Sequence, residues 1–139
     1  MIYAFDEADT ELTLLPMASR RALDAAGLKL SLASYQTLAH ADRRELVKLG
    51  AAETVDVAAV RVLVARASGE PAKQLPRVVE PPDLPEALVE ALAPERTLSQ
   101  LGWRALSPLD RYVLDKLQRN GKTERLRVAF DEITARERE

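Results

Sequence analysis

The sequence contains no cysteine. That removes disulfides, thiolate metal sites, iron–sulfur clusters and cysteine nucleophiles together. It has a single histidine, His40, so no two-histidine metal motif or histidine pair can form within the chain. Aromatic residues make up 4% of the total, which leaves the core to aliphatic side chains. Neither sign of charge prevails: 20 Lys and Arg face 22 Asp and Glu, for a net charge of −2. No bulk charge excess therefore draws the chain to nucleic acid or to a membrane. No apolar run approaches membrane-spanning length and no basic-then-apolar leader opens the sequence, so the expected location is cytoplasmic. The five glycines lie singly, and none builds a phosphate-cradling motif.

What is present fits a globular protein: 139 residues, 47% of them apolar and 30% charged. Ala and Leu are abundant, and they lose least on becoming helical. Few runs alternate apolar and polar residues for long enough to read as strands. The expectation is an all-α fold, one domain over residues 1–139, of about six or seven helices.

Pro16 can open a helix and Gly27 can close it in a left-handed cap, with Leu15, Ala18, Ala22, Leu23 and Ala26 at helical spacing between them. Ser31 offers an N-cap for a short helix carrying Leu32, Tyr35 and Leu38. Another is predicted over Asp42 to Leu49. Thr54 to Ala67 is the most apolar segment, and its valines spread around the helical circumference. It reads as a helix buried on most sides, at the centre of the domain. Five of the eight prolines (Pro71, Pro76, Pro81, Pro82, Pro85) then fall in a connector at about 70–85. Val78 and Val79 are the residues able to pin it. The halves have similar charge, 8 basic and 10 acidic residues up to 70 and 12 of each thereafter. Further helices are predicted over Pro85 to Ala93 and Thr97 to Trp103. Another opens at Ser107-Pro108 with Leu109, Tyr112, Val113 and Leu117 in one stripe. The last starts near Thr123 with Leu126, Ala129, Phe130 and Ile133 facing inward. Arg111, Asp115 and Arg119 follow at four-residue spacing, the pattern of a solvated ion-pair ladder.

The candidate chemistry is sparse. The cluster Asp6, Glu7, Asp9, Glu11 has the oxygens for calcium or magnesium but no turn glycine and no completing ligand, so it reads as a solvated segment. His40 has no evident serine or carboxylate partner and reads as a capping or exposed residue. Carboxylates such as Asp131 and Glu132 sit on an exposed helix face with nothing to split their roles into acid and base. Lys116, Arg119, Lys122, Arg125 and Arg127 straddle a helix–turn–helix. They suit a phosphate backbone if Trp103 or Tyr112 is free to stack on bases; otherwise they form a salt-bridged surface over an aromatic core.

Three stretches together resemble the small bacterial family of nitrate-reductase-associated proteins. The first runs from Phe5-Asp6-Glu7-Ala8-Asp9 through Leu15-Pro16-Met17-Ala18, Arg21 and Leu23-Asp24 to Gly27-Leu28-Lys29-Leu30. The second is Leu32 to Tyr35 and Leu38, leading into Asp42-Arg43-Arg44. The third comprises Trp103, Leu106, Leu109, Arg111-Tyr112, Leu114 and Lys116-Leu117, then Ala129-Phe130 and Glu132-Ile133. One departure stands out. Where the family carries a polar stretch with His, Glu and Asn after the Lys-Leu pair, this chain has Gln118 to Arg125 and no histidine.

The resemblance implies a non-catalytic accessory or maturation factor for assimilatory nitrate reductase, a molybdenum-cofactor enzyme. It would bind the apo-reductase or a cofactor-delivery protein by protein contact and need no cofactor or metal of its own. The residues expected at such a contact are Arg20, Arg21 and Lys29 in the first stretch, with Trp103, Arg111 and Lys116 in the third. Two alternatives stand beside this reading: a nucleic-acid-binding regulator using the basic C-terminal helix pair, and a small-molecule binder or enzyme without a recognisable motif.

Overall fold

The computed structural model describes residues 2–6, 12–77 and 80–137. It is mostly helical, as expected, with eight α-helices and one two-stranded ladder among those residues. The count exceeds six or seven, although every helix, the three of five to seven residues included, falls in or beside a segment where the sequence predicts one; two of the short ones start on their own serine caps. Contacts divide the chain into two compact units, residues 1–79 and 80–139.

The first unit is built on α1 (Met17–Ala26), which packs against α3 (His40–Ala51), α4 (Val57–Val64) and strand β1 (Leu28–Lys29). Gly27 closes α1 at φ 67°, the left-handed cap that the sequence suggests. Pro16 leaves the start of α1 without a side-chain cap of its own. Asp6, on the 3-10 turn Ala4–Asp6, takes that place. Its Oδ1 accepts from the Met17 N–H at 3.0 Å and its Oδ2 from the Tyr3 N–H at 3.0 Å. Asp6 thus serves as a remote helix cap rather than a merely solvated acid. The rest of that acidic cluster, Glu7, Asp9 and Glu11, lies outside the described residues.

Helix α2 (Leu32–Gln36) starts where Ser31 accepts from the Ser34 N–H. The core of this unit gathers Ala22, Leu23, Leu30, Tyr35, Leu38, Leu46, Val60 and Leu63. The valine-rich segment departs from expectation. Asp56 caps the Ala59 N–H, so α4 begins later and is only eight residues long. It buries Val60, Leu63 and Val64, whereas Val62 is 61% exposed. One face is covered, by α1 and α3, and the centre of the unit belongs to α1.

The proline-rich connector is not one free stretch. Its first part docks on unit 1 through strand β2 (Lys73–Gln74), which pairs antiparallel with β1, Leu28 opposite Gln74 and Lys29 opposite Lys73. The Leu75 N–H donates to the Gly27 carbonyl at 2.8 Å, and Ser34 Oγ donates to the Glu70 carbonyl at 2.7 Å. Two-residue strands are too short to alternate visibly, so sequence periodicity does not reveal them. Val78 and Val79 lie outside the described residues.

The second unit holds α5 (Glu86–Leu92), α6 (Gln100–Ala105), α7 (Pro108–Arg119) and α8 (Thr123–Glu137), with α7 packed against α8 and α5. Helix α6 starts at its Ser99 cap, later than predicted, and α7 opens on Ser107 and Pro108 as read. Gln100 holds the end of the connector: its side chain accepts from the Leu84 N–H at 2.8 Å and donates to Asp83 at 2.7 Å. The buried stripe Leu109, Tyr112, Val113 and Leu117 faces Leu126, Ala129, Phe130 and Ile133 of α8, as the spacing predicts.

Candidate interaction surface

The adjacent arginines of α1 part company. Arg20 is exposed, while Arg21 is 3% exposed and donates to the carbonyls of Gly50, Ala52 and Glu53. Those carbonyls close α3, and the guanidinium satisfies them while setting positive charge at the negative end of the helix. Arg21 therefore acts inside unit 1, which corrects its assignment to a partner contact. Helical arithmetic contains the signal: Arg21 shares a stripe with Met17, Ala18 and Ala22, all buried. The clamp works because α1 and α3 touch backbone to backbone. A Cβ on Gly50 would lie 1.6 Å from the Ala18 carbonyl oxygen.

Lys29 is exposed on β1, directly opposite Lys73, and Lys73 leans to Glu70 at 3.7 Å. Opposed like charges on a ladder are unfavourable, and Glu70 offsets part of this repulsion.

Helix α3 presents a second surface that the sequence reading did not single out. Arg44, Val47, Lys48 and Ala51, at i, i+3, i+4 and i+7, form one stripe along it. With Ile2 and Leu12 they line an open cleft of about 460 Å³. Leu12 is buried at φ 55°, and its carbonyl accepts from Tyr35 Oη at 2.7 Å. Thr13 is tied to α2 by Gln36 Nε2 at 2.9 Å, so this wall of the cleft is anchored. Arg44 and Lys48 are exposed and make no hydrogen bond or ion pair among the described residues.

In the second unit Trp103 is fully buried, which corrects its reading as an interface anchor. Tyr112 is buried as well, at 3% exposure, so neither ring is open to a base. Arg111 is half-buried, and Lys116 sits with its ammonium 5.7 Å from the Tyr112 ring centroid. The expected ladder on α7 forms one rung: Arg119 meets Asp115 at 2.9 Å, and Asp115 is buried rather than solvated. Arg127 pairs with Glu124 at 3.4 Å. The basic run is thus partly spent on its own helices, and no stacking platform comes from Trp103 or Tyr112.

Another ion pair joins α8 to the segment after α5. Arg96 makes two parallel bonds to Asp131, at 2.9 and 2.8 Å. That double hydrogen bond holds the Asp131 carboxyl below its usual range and raises the guanidinium above its own. Among the described residues no group of three or more His, Asp or Glu side chains is placed to hold a metal ion. No helix there is long and apolar enough to cross a membrane. His40 is the half-buried first residue of α3.

Comparison with known proteins adds one match. A family model described as conserved nitrate reductase-associated protein matches residues 2–133, nearly the whole chain. No curated protein and no solved structure matches.

Proposed function

Because this chain belongs to the conserved nitrate reductase-associated protein family, we propose that it is a non-catalytic accessory or maturation factor of a molybdenum-cofactor nitrate reductase. The match over residues 2–133 carries this reading. The chain binds the cofactor-free reductase, or a protein that delivers the cofactor, in the cytoplasm. By binding that state in preference to others it stabilises a reductase able to accept cofactor.

The contact lies on cations: the exposed Arg20 and Lys29 on the first unit, and the half-buried Arg111 and Lys116 on the second. The opposition of Lys29 and Lys73 supports Lys29, since an anionic partner relieves that repulsion.

The experiment is a pull-down of the reductase from the same organism, loaded and unloaded with molybdenum cofactor. Selective capture of the unloaded enzyme, weakened by Arg20→Glu and Lys29→Glu, is the expected result. Equal capture of both forms replaces maturation with a standing association. Absence of capture at low salt and micromolar concentration overturns the reading.

A further inference from the structure

We propose that the cleft along α3 is a docking groove for an acidic amphipathic helix of a partner protein. The inference rests on the protein-contact reading above, but not on the reductase being the partner.

The first argument is the arrangement of the stripe. Leu46 and Gly50 are buried on other faces of α3, and Gly50 lies against α1. The stripe Arg44, Val47, Lys48, Ala51 is left to line the cleft. Val47 and Leu12 form an apolar floor, the half-exposed Ile2 extends it, and the two cations stand one helical turn apart above it. A helix that carries carboxylates one turn apart beside apolar residues repeats this spacing with the charges reversed.

The second argument is charge complementarity. Arg66, Arg96, Arg104, Arg119, Arg127 and Arg136 each reach an acidic side chain within 4.0 Å. Arg44 and Lys48 reach none among the described residues, although Glu45 stands between them in sequence. Two cations without an acidic partner among the described residues, over an apolar floor, select an anionic, apolar-faced occupant. The third argument is shape. The cleft is open, so a small ligand would keep much of its surface in water, whereas a helix lying along α3 covers floor and cations together.

The test uses the full chain and a labelled synthetic helical peptide of about 16 residues. The peptide carries the stripe Glu-x-x-Leu-Glu-x-x-Leu; two controls replace both glutamates by Gln or by Lys. Fluorescence anisotropy is expected to show the Glu peptide binding roughly tenfold tighter than the Gln peptide at low salt, as two surface ion pairs allow. The advantage shrinks as salt rises. In the double variant Arg44→Glu/Lys48→Glu the preference reverses to the Lys peptide. Both side chains are exposed, and circular dichroism checks that the variant keeps its fold.

Equal binding of Glu and Gln peptides, or a double variant with the wild-type order, overturns the proposal. So does the absence of binding by any of the peptides, or self-association of the chain through this face. Because the peptides are independent of the reductase, failure here leaves the capture experiment intact, and the converse holds too.

Discussion

Arg21 and Arg20 are neighbours in sequence with opposite assignments. Arg21→Met leaves three closing carbonyls of α3 without their donor and should cost about 2–4 kcal/mol in urea unfolding. Arg20→Met should stay within about 0.5 kcal/mol. Equal effects would mean that the clamp carries no stability. Asp131 offers a test by pH. Its folded carboxyl titrates below the unfolded one, so its contribution to stability is complete above the unfolded value of about 3.9. That contribution is lost as pH falls through the lower folded value. A carbon-detected titration should place the Asp131 midpoint below that of an unfolded reference, and Arg96→Gln should move it up. A midpoint indifferent to Arg96 would remove the pair as its cause.

Among the elements, the close approach of α1 and α3 fixes one position strictly. Gly50→Ala puts a methyl group into the Ala18 carbonyl and should destabilise by about 3 kcal/mol, the upper end for overpacking. Gly121→Ala is the contrast. It sits at φ 68° with nothing within 4 Å, so only the left-handed backbone resists, at about 1–2 kcal/mol. Thermal melts of the two variants would separate steric from conformational glycine; similar shifts would contradict the contact. The helices themselves are readable in advance, because Gly27, Ser31, Ser107 and the spacing of Leu126, Ala129, Phe130 and Ile133 act locally. What defeats sequence reasoning depends on distant residues. The cap that Asp6 supplies to Met17 spans eleven positions, and the ladder joins Leu28 to Gln74. The exposure of Val62 depends on how much of α4 its neighbours cover.

For the whole molecule, the even charge of the halves and the lack of any composition break other than the prolines predict a single domain. Calorimetry tests it: one transition with matching calorimetric and van't Hoff enthalpies is expected. Two separate transitions would make residues 1–79 and 80–139 independent domains. Arg20 and Lys29, whose exposure leaves them on the proposed contact surface, are legible in the sequence, whereas the burial that removes Trp103 from it is not. A lone tryptophan serves a core or an interface equally well until its neighbours are known. The α3 cleft is legible only by half: the stripe follows from spacing, but its opposing wall at Leu12 comes from a distant part of the chain.

The ladder of β1 and β2 has two open edges, and open edges invite other chains to add strands. Here each strand is two residues long and carries a lysine, Lys29 or Lys73. Pro71 and Pro76 flank β2, and proline cannot donate to an extended ladder. The sheet is therefore a poor template for further strands. Lysines and prolines act together as gatekeepers, so the only β-structure among the described residues is protected against templating aggregates.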